Sequence, residues 1–92
     1  MIVRIMGEGQ FDVPDSLVDR LNELDNAVLA ALDSGDETEF RTSLDALLAA
    51  VRAGGKAVPA DYLGPSDATL PFESATVDEV KALLHEDGLI PG

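Results

Sequence analysis

The chain has 92 residues, enough for one domain with a single modest core and too few for a second. With 46% apolar residues, no cysteine and no tryptophan, it fits a soluble globular protein of a reducing compartment, and disulfide scaffolds and thiolate metal sites are excluded. Eighteen acids against six Lys and Arg give a formal net charge of -12, which repels a nucleic-acid backbone or an anionic lipid surface and suits a partner that presents basic groups.

Ile2 to Met6 reads as a strand, Gly7-Glu8-Gly9 as a turn, and Gln10 to Val13 as the returning strand. A three-residue loop sets Val3 against Val13, Ile5 against Phe11 and Arg4 against Asp12, whereas a two-residue loop would set Ile5 against Asp12. The first register leaves one wholly apolar face, Val3, Ile5, Phe11 and Val13, that other elements must cover, because a lone hairpin is marginal in water. Pro14-Asp15 ends the second strand, with Asp15 or Ser16 as N-cap. Leu17, Leu21, Leu24, Val28 and Leu32 then recur at steps of four and three, predicting a helix over 15–33 that Ser34-Gly35 stops. Asp36 and Glu39 form a capping-box pattern for a second helix over 36–53, with the stripe Phe40, Leu44, Leu47, Leu48 and Val51, ending at Gly54-Gly55. The short link makes the two helices antiparallel neighbours with facing stripes.

Over 56–75, Pro59, Gly64, Pro65 and Pro71 break any helix, while Val58, Tyr62, Leu63, Leu70 and Phe72 recur as anchors of a packed loop. Ala68-Thr69-Leu70 could add a short third strand beside the hairpin, with Pro71 at its end. Thr76 and Glu79 repeat the capping box and open a helix over 76–86, with Val77, Val80, Leu83 and Leu84 on one side and Gly88 as its stop. The tail Leu89-Ile90-Pro91-Gly92 is apolar enough to dock on the core or to serve a partner. The expected fold class is α+β: an N-terminal β-hairpin, with or without a third strand, packed on a three-helix unit in a single domain over 1–92.

A hairpin beside three helices could be a winged helix, but the second helix sets Glu37, Glu39 and Asp45 against Arg41 and Arg52. The last has Lys81 as its only cation, so neither offers DNA a basic face. One histidine, His85, precedes Glu86 and Asp87 without the i, i+4 spacing of a helical zinc site, and suits a helix C-terminus. Asp33, Asp36 and Glu37 lack the alternating ligands and sixth-position glycine of a calcium loop. Ser16, Ser34, Ser43, Ser66 and Ser74 sit in no strained elbow, and Gly7-Glu8-Gly9 lacks the following helix of a phosphate loop. No catalytic, metal or cofactor-binding residue is assigned, and no apolar run reaches the ~20 residues of a membrane span. Interaction remains. The candidate contact residues are Ile2, Arg4 and Met6 on the hairpin, Phe72 on the loop and Ile90 on the tail, with Arg4 expected to pair with Asp12. Open strand edges could accept another chain or form a homodimer unless the Ala68 to Phe72 segment covers them.

Three stretches, Met1-Ile2-Val3-Arg4-Ile5-Met6-Gly7-Glu8-Gly9-Gln10-Phe11, Leu21-Asn22-Glu23-Leu24-Asp25, and Val80-Lys81-Ala82-Leu83-Leu84 through Gly88-Leu89-Ile90-Pro91-Gly92, together resemble the PspA-associated PspAA domain family. The resemblance spans essentially the whole chain, and its motifs are structural rather than catalytic. It implies a non-enzymatic, cytoplasmic adaptor of the phage-shock envelope-stress response. The implied partner is PspA, a coiled-coil membrane-stress protein, or a further Psp-associated protein. It carries over no catalytic residue, ligand residue or cofactor. A small-ligand sensor would need a closed apolar pocket under the Val58 to Phe72 loop, and a homo-oligomeric structural subunit is the other reading.

Overall fold

The structure, a computed structural model, describes residues 1–59, 64, 66–72 and 74–83. The expected loop anchors Tyr62 and Leu63, the last turn of the third helix with Leu84 and His85, the stop at Gly88 and the apolar tail with Ile90 lie outside the described residues.

Strands β1 (Ile2–Ile5) and β2 (Gly9–Asp12) form the hairpin, pairing Ile2 with Asp12, Val3 with Phe11, Arg4 with Gln10 and Ile5 with Gly9. This register differs by two residues from the expected one. The turn is Met6-Gly7-Glu8, closed by the Glu8 N–H donating to the Ile5 carbonyl at 3.0 Å. At the open end the slip brings Met1 opposite Val13, where the terminal ammonium donates to the Val13 carbonyl at 3.0 Å and the Val13 N–H donates to the Met1 carbonyl at 2.7 Å. A slip of two leaves every side chain on its expected face, so Val3, Ile5 and Val13 are buried and Phe11 is half-buried. It undoes the Arg4–Asp12 pair: Arg4 stands opposite Gln10, and Asp12 lies 3.9 Å from the terminal ammonium.

Helix α1 (Asp15–Ser34) starts after Pro14, whose carbonyl accepts from the Leu17 N–H at 2.9 Å; no side chain caps it, and Asp15 serves the first turn instead. It ends at Gly35, left-handed at φ 75°, whose N–H reaches the Ala31 carbonyl at 3.0 Å. Helix α2 (Glu37–Gly54) is capped by the Asp36 carboxylate, which accepts from the Glu39 N–H at 3.0 Å. Its expected stripe is buried in full, and Ser43 joins it by donating its hydroxyl to the Glu39 carbonyl at 2.7 Å. On α1 the buried positions are Leu21, Asp25, Val28 and Ala31, while Leu17, Leu24 and Leu32 are only partly covered.

Two further strands flank the hairpin. β3 (Lys56–Ala57) pairs antiparallel with β2, and β4 (Ala68–Leu70) pairs parallel with β1, giving a four-stranded sheet in the order β3-β2-β1-β4. Both hairpin edges are thereby occupied. Helix α3 (Val77–Leu83) opens with a reciprocal capping box, the Glu79 N–H on the Thr76 hydroxyl at 3.2 Å and the Thr76 N–H on the Glu79 carboxylate at 3.4 Å. Val3, Ile5, Val13, Ala68 and Leu70 of the sheet join the α1 and α2 stripes in one core, to which Ala75 and Val80 add.

Candidate functional site

The two large hydrophobic side chains left exposed among the described residues, Met6 at 37% and Phe72 at 43%, meet at the hairpin turn. The fold carries them there. The Met6 N–H donates to the Leu70 carbonyl at 3.0 Å, extending the β1–β4 ladder past the strand ends, and buried Pro71 then turns the chain so that Phe72 lies over the hairpin. Its ring rests on Gly7: a Cβ there would come within 2.5 Å of Phe72 Cε1, and φ at Gly7 is 85°. Met6, Gly7 and Phe72, with Glu8, Arg52 and Ser74, line a depression of about 410 Å³.

A charged clamp fixes this patch. Arg52, in the last turn of α2, donates from Nε to Glu8 Oε1 at 2.8 Å and from Nη2 to Glu8 Oε2, a bidentate pair tying the hairpin turn to the end of the helix. The hydrogen bond from Arg52 is the main cause that holds the Glu8 carboxyl below its ordinary range; the guanidinium charge adds to it, and desolvation opposes it. Arg41, further up α2, donates from Nη2 to the Ala75 carbonyl at 2.7 Å, with its guanidinium 5.3 Å from the Phe40 ring centre, and so fastens the approach to α3.

Of the expected contact residues, the structure therefore brings Met6 and Phe72 together. Ile2 and Arg4 lie on the sheet face turned away from the helices. Ile2 is half-buried, and its N–H donates to Asp67 Oδ2 at 2.8 Å. Arg4 is exposed between Gln10 and Thr69 and makes no ion pair with a described residue. Ile90 is outside the described residues. Sequence reasoning missed Glu8, Arg52 and Arg41, whose partners are set by tertiary structure. It also missed Asp25, 1% exposed and engaged by an interaction of its own, although its spacing from Leu21 and Val28 places it on the buried stripe. The closed apolar pocket expected of a small-ligand sensor under the Val58 to Phe72 loop involves residues 60–63 and 65, which lie outside the described residues.

The family model of the PspA-associated proteins, PspAA, matches residues 1–92, the whole chain. The chain belongs to the PspAA family. No curated protein and no solved structure matches it. The PspAA family is not a known enzyme family. Among its described residues this PspAA chain has no helix long and apolar enough to cross a membrane.

Proposed function

We propose that this PspAA chain is a non-enzymatic, cytoplasmic adaptor of the envelope-stress response that binds PspA or a further Psp-associated protein. Met6 and Phe72 anchor the contact. The observation that carries the reading is the whole-chain match to a PspA-associated family, joined to the two large hydrophobics left exposed among the described residues, Met6 and Phe72, which border one depression beside the clamped turn. Exposed apolar anchors ringed by polar groups are the usual form of a binding hot spot, and a turn already held by Arg52 loses little freedom on docking. The net charge of -12 favours a basic partner and speeds the encounter with it. Ile2 and Arg4 offer secondary contacts on the sheet, and Ile90 is tested alongside them.

The test is a titration of purified PspA, and separately of its companion, against the wild type and the double variant M6S/F72S. Both side chains are exposed, so the variant should melt close to the wild type and bind at least about tenfold more weakly. Unchanged affinity would remove Met6 and Phe72 from the contact. If the folded wild type associates with neither protein at any salt, the adaptor reading fails.

A further inference from the structure

The sulfur of this chain is confined to Met1 and Met6, and neither cysteine nor tryptophan is present, so the two thioethers are its groups most open to two-electron oxidation. They differ in their surroundings. The Met1 side chain is only 10% exposed and packs against the core, while its ammonium donates to the Val13 carbonyl at 3.0 Å. Met6, 37% exposed, stands just past the end of β1, where it borders a depression of about 410 Å³ together with Gly7 and Phe72. Its backbone holds it there, the N–H donating to the Leu70 carbonyl at 3.0 Å, so the side chain can change chemically without loosening the sheet.

We infer that Met6 is a modification site, oxidised by hydrogen peroxide to the sulfoxide, and that this modification weakens the contact made by Met6 and Phe72. The second half rests on the adaptor reading and gives that same surface a means of regulation. In the reaction a lone pair of the Met6 sulfur attacks one peroxide oxygen; the S–O bond forms, the O–O bond breaks, and the other oxygen leaves as water, the sulfur having given up two electrons. Hydrogen peroxide is uncharged, so the net charge of -12 that holds off anionic oxidants leaves its approach unhindered. The sulfoxide replaces a flexible apolar end with a polar one. In the free protein its oxygen faces water at little cost, but under a partner's surface it is either matched by a donor or buried unpaired, and the contact weakens. Reversal takes two thiols acting through a methionine sulfoxide reductase, which yield the thioether, a disulfide and water; this chain has no cysteine to supply them, so the reductant comes from outside.

The experiment treats the folded wild type and M6L with hydrogen peroxide, removes the oxidant with catalase, and follows the gain of one oxygen at each methionine by peptide mass mapping before purified PspA is titrated in. M6L keeps an apolar side chain of similar volume and removes the sulfur. Met6 should gain its oxygen at least about threefold faster than Met1, as exposure dictates, and the oxidised wild type should melt close to the untreated protein. Its affinity for PspA should fall at least about fivefold and return after treatment with the reductases for both sulfoxide epimers and dithiothreitol, whereas M6L should bind equally before and after peroxide. Oxidation of Met1 as fast as Met6 would overturn the site. Oxidised wild type binding at full strength, with M6S/F72S still impaired, would overturn the regulation and leave the adaptor reading standing. A loss in peroxide-treated M6L equal to that in wild type would trace the effect to Met1 and overturn its assignment to Met6. Absence of any binding by the untreated wild type would instead overturn the adaptor reading and the regulation with it, while the oxidation rates still decide the site.

Discussion

Gly7 meets two demands at one position, a positive φ of 85° and a Phe72 ring that leaves no room for a Cβ. Gly35 meets only the first, with φ 75° and nothing within 4 Å of an added Cβ. Alanine at Gly35 should therefore cost about 1 kcal/mol, the backbone term alone. Alanine at Gly7 should cost more, in the range of about 1–3 kcal/mol. Denaturant midpoints of G7A, G35A and each combined with F72A check the difference: F72A should recover part of the G7A loss and none of the G35A loss. The Glu8–Arg52 pair makes a second prediction. Its side chains are 35% and 34% exposed, so screening limits its worth to about 0.5–1 kcal/mol despite the bidentate geometry. Because the folded-state pKa of Glu8 is lowered, this stability is fully present above the ordinary carboxylate range and is lost as pH falls through the folded value. The gap in stability between wild type and E8Q should thus be open at neutral pH and closed in acid. A gap that persists unchanged at low pH would deny the clamp.

Among the elements, the helices were legible because a 3.6-residue period and capping residues are local signals: the α2 stripe and the Thr76–Glu79 box are present as read. The hairpin register was not, since a slip of two leaves the apolar face unchanged and only the backbone bonds at Met1 and the turn choose between the alternatives. The short strand β4 beside β1 could be read from Ala68-Thr69-Leu70, whereas β3, two residues directly after Gly55, carries no pattern. On α1 the period puts Leu24 on the buried stripe, although its neighbour fits the same steps of three and four. Asp25 takes the interior position and leaves Leu24 partly exposed. Leu47→Ala, in a fully buried site, should cost roughly 2–5 kcal/mol. Leu24→Ala should cost clearly less, and equal denaturation midpoints for the two variants would contradict this placement of the α1 face.

For the whole molecule, the proposed contact surface was legible as a set of residue types and not as a place. Met6 and Phe72 could each be singled out as apolar residues outside a core stripe, but only the β1–β4 pairing and the turn at Pro71 make them neighbours. Arg4 and Ile2, grouped with Met6 by sequence, lie along β1 toward its start and border none of the depression that Met6 shares with Phe72. The charge was legible at once and bears on rate rather than on place: a molecule of net charge -12 should meet a basic partner by electrostatic steering, while the apolar anchors govern how long the complex lasts. The most direct measurement is the association and dissociation kinetics of purified PspA with wild type and M6S/F72S across a series of salt concentrations. Wild-type association should slow as salt rises, and M6S/F72S should dissociate at least about tenfold faster with its association little changed. A wild-type association rate indifferent to salt, with M6S/F72S leaving as slowly as wild type, would contradict the account.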